Sequence, residues 1–403
     1  MAPKGEPTEE ESKYDRQDEA YFSYYSMLTH QAQMLQDSVR TSAYQTGIMQ
    51  HGPNHFANKV VMDVGAGNGI LSLFSLQAGA RLVYAVEASN MVQNLQHLVQ
   101  AASHSDTPVN EWIHNRFAVV HSRMEDVNED VLKKCAPVKP TGDASKVDTI
   151  VSECLGVLLV HERMCESFID ARDRFLRPGG TVYPHSGTLC FSLLNDSRLY
   201  QDVKARGEWW NTANFYGVDL TPFVDAARSE AFSSPVVGCF SPTHVVGTTP
   251  EGLGMDSAVC RYVIDFSTIT NEELKEFDVP LAFDCIDEPV IVHGLGGWFD
   301  LSFLQDEDDA DAITVQQNTM TTSPFAPATH WAQVRMLFPE PLALNAGQRV
   351  LGTLHFKANE SRSYNITANL EVPQADDVKA SAPLFRRTAR WKLDKQTYSW
   401  ETM

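Results

Sequence analysis

Two glutamates in one short segment are the residues of this chain best suited to holding a cation. The segment "VSECLGVLLVHERM" runs from Val151 to Met164 and carries Glu153 and Glu162, with a small Gly-containing loop between them. If both side chains are buried, each costs folding free energy unless a cation lies between them. Guanidinium is the side-chain cation whose planar fork of N–H donors matches two carboxylates. The segment therefore predicts a site for an arginine side chain.

A glycine-rich turn predicts a second kind of ligand. The segment "VVMDVGAGNGIL" places Gly65, Gly67 and Gly69 between a buried strand and a helix, where the backbone and the helix N-terminus accept a close ligand. The spacing G-x-G-x-G differs from the dinucleotide fingerprint, and Asp63 at the strand end disfavours a phosphate. Glu87 ends the next strand, in "YAVEAS", where a carboxylate accepts ribose hydroxyls. These features favour S-adenosylmethionine, a nucleoside that carries a positive group and no pyrophosphate.

The elements that position these residues alternate between strand and helix. From Lys59 to about Pro184 this alternation predicts a mostly parallel sheet with helices on both faces. Apolar residues at helical spacing across residues 20–50 predict one or two helices before the sheet. The fourth predicted strand, "VDTIVSE", ends at Glu153, and ligands of such sheets bind beyond the carboxyl ends of the strands. Glu153 is therefore expected near the reactive end of the cofactor.

The pattern changes after Pro184. Short strands broken by turns predict a β-barrel or sandwich, and a helix-like insertion rich in aromatic residues interrupts them at 198–232. The predicted domains are a flexible acidic tail at 1–19, an S-adenosylmethionine-binding domain with N-terminal lid helices at 20–184, and a β-barrel substrate domain at 185–403. The acidic run at 305–312 is predicted to be a solvated hairpin loop.

Composition limits the classes of function. The formal net charge of −20 disfavours direct nucleic-acid binding and is compatible with a cationic partner. No apolar run is long enough for a membrane span, and because the N-terminus is polar and acidic we do not expect a secretory signal there. The 7 cysteines are odd in number and form no C-x-x-C pair, so we expect reduced thiols in an intracellular compartment and no metal site.

Taken in order, these segments resemble the protein arginine methyltransferases. "SECLGVLLVHERM" is similar to the double-glutamate loop of that family, "DVGAGNGILS" to its first cofactor motif and "VEAS" to the acid after its second strand. Further similar segments are "YFSYYSMLTHQAQMLQDSVRT", "RMEDV", "FLRPGGTVYP", "NFYGVDLTP" and "ATHWAQVRMLF". The resemblance covers roughly residues 20–390 and is greatest to the coactivator-associated (CARM-type) branch. It implies an α/β fold, in which a class I methyltransferase Rossmann-like domain precedes a β-barrel domain with a helical dimerisation arm.

The resemblance also implies roles for individual residues. The catalytic set would be Glu153, Glu162 and a pair formed by His330 and Asp37. Residues implied to contact the cofactor are Tyr25, Gln31, Met34, Arg40, Asp63, Gly65, Gly67, Glu87, Met124, Glu125, Glu153, Met164 and Ser167. Among them Arg40 would bind the methionine carboxylate, Glu87 the ribose, and Met124, Glu125 and Ser167 the adenine. Tyr25, with Tyr21, Phe22 and Tyr24, would belong to a lid over the cofactor. Residues implied to contact the substrate are Tyr25, Met34, Met164 and Trp331.

The implied activity is methyl transfer from S-adenosyl-L-methionine to guanidinium nitrogens of arginine in proteins. The products would be S-adenosyl-L-homocysteine with mono- and asymmetric dimethylarginine, the latter because Met34 and Thr329-His330-Trp331 accompany type I activity in this family. The proton released would go to Glu162 or to the His330–Asp37 pair. Expected partners are arginine-containing proteins, including histones and RNA-binding proteins, and a second copy of this chain, with residence in nucleus and cytoplasm. A class I methyltransferase of small molecules and a non-catalytic partner of an active arginine methyltransferase stay open as alternatives.

Overall fold

The computed structural model describes residues 21–104, 110–137, 146–284, 286–303, 318–374 and 383–399. The predicted tail at 1–19 and the predicted acidic loop at 305–312 lie outside these residues. The chain divides into two units, one made of residues 1–154, 167–185 and 303–319, the other of residues 155–166, 186–302 and 320–403. The expected single boundary after residue 184 differs from this division at two segments. Residues 155–166, which follow Glu153 and Cys154, belong to the second unit, and residues 303–319 belong to the first.

The first unit contains a five-stranded sheet in which neighbouring strands run parallel, with the order β3-β2-β1-β4-β5. Every residue of the first two strands is buried, as expected for strands covered on both faces. The strands are β1 (Val60–Val64), β2 (Leu82–Glu87), β3 (Phe117–His121), β4 (Val147–Ser152) and β5 (Leu176–Tyr183). The helices are α1 (Leu28–Gln36), α2 (Ser38–Gln50), α3 (Ile70–Gln77), α4 (Val92–His104), α5 (Glu129–Cys135) and α6 (Cys165–Phe175).

The strand order reverses direction between β1 and β4. In open α/β sheets the crevice at such a reversal, beyond the carboxyl ends of the strands, is where ligands bind. The glycine-rich turn follows β1, and Glu153 follows β4, so the fold places both at this point. The parallel sheet and the position of Glu153 after its fourth strand confirm the sequence-based prediction.

The second unit consists mainly of antiparallel strands in two sheets, which have the orders β16-β7-β12-β10-β6-β8 (with β11 beside β10) and β15-β14-β13-β9. The burial of β9 alternates residue by residue, which is typical of a strand with one face in a core. The strands are β6 (Ser186–Leu194), β7 (Val236–Val237), β8 (Val259–Asp265), β9 (Glu276–Phe283), β10 (Val290–Ser302), β11 (Thr319–Thr321), β12 (Val334–Leu344), β13 (Val350–Asn359), β14 (Ser363–Val372), β15 (Phe385–Lys392) and β16 (Thr397–Tyr398).

Two helices, α7 (Ser197–Glu208) and α8 (Val224–Ser233), form the predicted helical insertion in the second unit. Asp196 caps the first of them by accepting a hydrogen bond from Leu199 N, 2.9 Å away. Asp196 is buried and also accepts from Arg335 Nη1 (3.0 Å), which fixes the base of the insertion to β12. Two shorter helices of this unit are α9 (Met255–Ala258) and α10 (Asn271–Lys275). No helix in the described ranges combines the length and apolar character that a bilayer crossing needs.

Candidate active site

The glycine-rich turn bends through left-handed backbone angles. Gly65, Gly67 and Gly69 have φ of 72°, 54° and 83°, a region that glycine enters without a steric cost. The carboxylate of Glu87, at the end of β2, accepts hydrogen bonds from Gly67 N (2.7 Å) and Ser89 N (2.6 Å). The acid and the turn therefore hold each other in place at the carboxyl end of the sheet.

Asp63 brings a second carboxylate to this region. It is buried, and Ser72 Oγ donates to its Oδ2 at 2.7 Å. Its Oδ1 is buried without a hydrogen-bond partner among the described residues. Burial, with a smaller contribution from the nearby Glu87, raises the pKa of Asp63 to about 7. An unpaired buried oxygen is costly, so this atom is well suited to receive a donor from a ligand.

Helix α1 covers the turn within the first unit. Gln31 is buried; its Nε2 donates to Tyr25 O (2.8 Å), and its Oε1 accepts from Asn68 Nδ2 (2.8 Å). A Cβ atom on Gly67 would lie 3.0 Å from Gln31 Oε1, so the glycine admits a close approach. The Tyr25 ring packs on the ring of Tyr21 at 4.7 Å between centroids. These contacts bring together predicted lid and cofactor residues.

Glu153 pairs with a guanidinium of its own unit. Arg40, on α2, is buried and donates to Glu153 Oε2 from Nη2 (2.7 Å) and Nε (3.1 Å). Its Nη1 also reaches Met34 O (3.4 Å), and Asp37 caps α2 by accepting from Arg40 N (2.9 Å). Burial opposes the charge on Arg40, but the Glu153 carboxylate, together with Tyr44 and Asp37, outweighs burial and raises the pKa of Arg40 above its ordinary value. The structure thus gives Glu153 a cation from within the chain, which the sequence did not indicate.

The residues predicted to contact adenine lie together in the first unit. Met124 is buried and begins a short 3-10 turn after β3. Glu125 follows Met124 directly, and its carboxylate accepts a hydrogen bond from Ser167 Oγ at 2.6 Å. Arg123 stacks its guanidinium over the ring of Phe22, 5.5 Å from the centroid. Sequence reasoning did not single out Arg123, because a lone surface arginine carries no pattern.

The segment from residue 155 to 166, here called the glutamate arch, opens the second unit. Four of its residues have left-handed φ although none is glycine: Leu158 (51°), Leu159 (64°), Glu162 (72°) and Arg163 (57°). Gly156 N donates to Leu159 O at 3.1 Å, and a Cβ on Gly156 would lie only 2.1 Å from His161 O. The arch is therefore a tight bend in which glycine is needed at 156 for space.

Two leucines of the arch fill spaces that barrel glycines leave. Leu158 and Leu159 are 2% and 0% exposed. A Cβ on Gly187, in β6, would lie 2.7 Å from the Leu159 side chain, and one on Gly297, in β10, 2.9 Å from Leu158. Trp331 is also buried and donates from Nε1 to Leu155 O at 3.0 Å. Packing and the indole hydrogen bond thus contribute to holding the arch on the barrel strands.

Other predicted residues are placed as follows. Met164 follows the arch's second glutamate, and its sulfur accepts from Arg362 Nη2 at 3.4 Å. The His330 ring packs against the ring of Trp331, with 4.0 Å between centroids and an interplanar angle of 37°. Asp37 and His330 belong to different units, as do Glu153 and Glu162. The His330–Asp37 pair and the substrate contact of Trp331 stay predictions.

The thiols and acids in the described part of the chain form no group of three or more metal-ligating side chains. Free cysteines there include the buried Cys154, directly after Glu153, and the buried Cys165, three residues after Glu162. Cys285 lies outside the described residues. The residues present do fit a sulfonium nucleoside, because three residues of the turn are glycines without a Cβ atom, Asp63 Oδ1 is unsatisfied and Arg40 supplies a cation for a carboxylate.

The first unit therefore has the fold of a class I methyltransferase domain, and the residues at its ligand-binding edge fit that class. Comparison with known proteins identifies the family. A profile described as the arginine methyltransferase oligomerization subdomain matches residues 185–374. A rice (Oryza sativa subsp. indica) protein named probable histone-arginine methyltransferase CARM1 is 38% identical over 98% of this chain and 69% of its own length. The Drosophila persimilis histone-arginine methyltransferase CARMER is 34% identical over 91% of this chain and 62% of its own length.

Solved structures agree with the fold. Arabidopsis thaliana protein arginine methyltransferase 10 is 29% identical, with a TM-score of 0.72 over 92% of this chain and 99% of that one. The Trypanosoma brucei PRMT1 enzyme–prozyme complex with AdoHcy is 24% identical, with a TM-score of 0.69 over 92% of this chain and 99% of that one. The chain belongs to the protein arginine methyltransferase family, whose members are S-adenosylmethionine-dependent enzymes. The predicted fold class, enzyme class and cofactor are thereby confirmed.

Proposed function

We propose that this protein transfers methyl groups to arginine in protein substrates and gives mono- and asymmetric dimethylarginine. One observation carries the proposal: Glu153, at the ligand-binding edge of the sheet, already binds a guanidinium, that of Arg40. A carboxylate with this geometry suits a substrate arginine equally well. When bound, S-adenosylmethionine supplies a methyl group on a positively charged sulfur.

The residues proposed to hold that cofactor are those the first unit brings together. Glu87 and Asp63 supply acceptors, the glycine-rich turn supplies close backbone approach, and Arg40 supplies a cation for the methionine carboxylate. Met124, Glu125 and Ser167 are the proposed adenine contacts, and Tyr25 and Gln31 the cover. Each assignment rests on the family resemblance, and the hydrogen bonds of the first unit support it.

The chain's two glutamates would do the work on the substrate. Guanidinium is always protonated near neutral pH and its lone pairs are delocalised, which makes it a poor nucleophile. Glu153 and Glu162 would draw the charge toward one side, so that a terminal nitrogen is left to react. Glu162 is the proposed proton acceptor, with the His330–Asp37 pair as the other route. Met34 and Met164 would flank the substrate side chain.

The test is a methyl-transfer assay with labelled S-adenosylmethionine and Arg-containing histone and Gly/Arg-rich peptides, read by mass spectrometry. Glu153→Gln and Glu162→Gln should each lower kcat by about 1,000-fold, within the range for a lost acid–base group. Glu129→Gln, a similar change at a half-exposed glutamate of α5, should leave kcat unchanged. Neutral-loss fragmentation separates asymmetric from symmetric product.

Two results would contradict the proposal. Cofactor binding with methylation of a small molecule only would favour the first alternative, and cofactor binding without any methylation would favour a non-catalytic partner. Because relatives at 34–38% identity are named histone-arginine methyltransferases, histone peptides and a nuclear location are the first to examine. RNA-binding proteins and cytoplasmic residence are further proposals.

We also propose that the helical insertion joins two copies of the chain. Its connecting loop exposes Trp209 (53%), Phe215 (41%) and Tyr216 (94%), and Phe223 is also exposed (53%). Contiguous exposed aromatic side chains are typical of interfaces. The matched profile is described as an oligomerization subdomain, which supports the same reading.

Light scattering after size exclusion measures the assembly. Wild type should be a homodimer, and a chain that lacks residues 205–228 should be a monomer. Phe215→Ser with Tyr216→Ser should weaken the dimer, whereas Phe385→Ser, at an aromatic of similar exposure outside the insertion, should not. A wild-type monomer at micromolar concentration would exclude the dimer.

A further inference from the structure

The turn between β13 and β14 contacts the glutamate arch through an arginine. Residues 359–363, here called the hairpin turn, join these strands in the second unit. From this turn Arg362 donates through Nε to the backbone oxygen of Glu162 (3.3 Å) and through Nη2 to the sulfur of Met164 (3.4 Å). One guanidinium thus binds two residues proposed to act on the substrate arginine.

Two further contacts join the same turn to the same arch. His161 Nδ1 lies 2.8 Å from Ser363 Oγ, and Arg163 Nη1 donates to Asn359 O at 3.2 Å. Asn359 is itself fixed, because its Nδ2 donates to Asp394 at 3.0 Å. Burial lowers the pKa of His161 to about 4, so this imidazole is neutral near neutral pH and its bond to the serine does not titrate there.

The backbone of the arch needs such contacts. Glu162 and Arg163 are successive non-glycine residues in the left-handed region, with φ of 72° and 57°. Residues in this region persist only where the surrounding structure holds them, and such residues cluster at functional sites. Arg362 donates a hydrogen bond to the backbone oxygen of Glu162, the first of these two strained residues.

We infer that Arg362 is a positioning residue for the reaction. By its hydrogen bond to the backbone oxygen of Glu162, it fixes the direction of the Glu162 side chain. By its contact with the sulfur of Met164, it fixes the position of the Met164 thioether. The inference rests on the proposed function of Glu162. Arg362 acts through these two residues, and the substrate is held by them.

Steady-state kinetics with an arginine peptide tests this role, with three variants in the full chain. Arg362→Ala should lower kcat by about 100-fold, the loss that a displacement of about 1 Å can cause, while cofactor Kd stays unchanged. Arg362→Lys should recover part of that loss, because lysine keeps the charge but cannot fork to two acceptors. Ser361→Ala, at an exposed residue of the same turn, should match wild type.

A double substitution separates positioning from general destabilisation. If Arg362 acts through Glu162, then Arg362→Ala should cause little further loss in a Glu162→Gln background, since the two effects are not additive. A full second loss in that background would overturn the inference, as would Arg362→Ala or Arg362→Lys with wild-type kcat. Absence of arginine methylation by wild type would instead overturn the proposed function.

Discussion

The glycine-rich turn and the glutamate arch bend the chain by opposite means. In the turn, at 65–69, the left-handed residues are glycines, which adopt such angles at no steric cost. In the arch the left-handed residues, at 158–163, all carry side chains, and each such residue costs roughly 1–2 kcal/mol. The first bend is stable locally, whereas the second depends on what the barrel supplies. The glycine-rich turn of the first unit therefore keeps its backbone angles without steric strain, whereas the glutamate arch of the second unit depends on contacts with neighbouring residues.

The two glutamates show the same contrast. Glu153 sits at the end of a buried parallel strand and meets Arg40 through its carboxylate. Glu162 sits on the bend and meets Arg362 through its backbone oxygen. Each acid has an arginine of its own unit: Arg40 donates to the carboxylate of Glu153, and Arg362 donates to the backbone oxygen of Glu162. We expect substitutions that alter charge or backbone angle to affect stability and cofactor binding most in the first unit. In the arch, we expect substitutions that alter packing to have the largest effect on stability and kcat.

The largest expected effect concerns charge in the first unit. Because burial raises the pKa of Asp63 from 3.8 to about 7, the folded state binds this proton more tightly than the unfolded state. Stability from this residue is then greatest at low pH and is lost as pH rises from about 4 to about 7, by at most about 4 kcal/mol. Asp63→Asn should flatten this part of the pH dependence, as measured by urea unfolding.

Asp130→Asn, at an exposed position, is the matched control for that measurement. An unchanged slope in Asp63→Asn would mean that the buried carboxylate does not titrate in this range. In the arch, burial lowers the pKa of His161 to about 4, so this imidazole stays neutral above about pH 4 and does not contribute to the same pH range.

Packing should matter most in the arch. Gly187→Ala places a Cβ about where the Leu159 side chain lies, 2.7 Å from its nearest atom. Overpacking of this kind costs about 1–3 kcal/mol and should lower kcat by moving the arch. Leu159→Ala in the same chain should restore part of the activity, because it removes the clash. If kcat in Gly187→Ala equals that of wild type, the arch does not need this packing.

Backbone angle should matter most in the turn. Gly67→Ala forces a side chain into the left-handed region and should cost about 1–2 kcal/mol. Gly179→Ala is a matched control, because its φ is 75° and its Cβ would meet no atom within 4 Å. Gly67→Ala should lose at least as much stability as Gly179→Ala in thermal unfolding, because its Cβ would also lie 3.0 Å from Gln31 Oε1, and only Gly67→Ala should weaken cofactor binding by calorimetry. Equal cofactor affinity in both would show that the turn is not the cofactor cradle.

The smallest expected effect is the loss of one hydrogen bond. Trp331→Phe keeps the buried ring but removes the bond to Leu155 O, with a cost of about 1 kcal/mol. Trp391→Phe removes an equivalent bond, to Leu337 O at 3.0 Å, away from the arch. Both should destabilise the fold alike, and only Trp331→Phe should lower kcat. A similar fall in kcat for both would assign Trp331 a purely structural role.

Much of the first unit could be predicted from sequence because its signals are local. Buried strands appear as continuous apolar runs, and the spacing of Gly65, Gly67 and Gly69 predicts the turn that they form. Glu87 and Glu153 directly follow or end such strands, so their edge of the sheet was predictable. The pairing of Glu153 with Arg40 was not, because 113 residues separate them in sequence.

The amino-acid sequence alone therefore determined the parallel sheet and the class of enzyme, and it predicted the two acids, since strand periodicity and residue type carry that information. Only the tertiary structure decided how the second acid is presented. Gly187, Gly297, Trp331 and Arg362 reach the arch from distant strands and turns of the barrel. No local sequence pattern marks this role in any of them, because whether a residue can contact the strained bend depends on the tertiary packing around it.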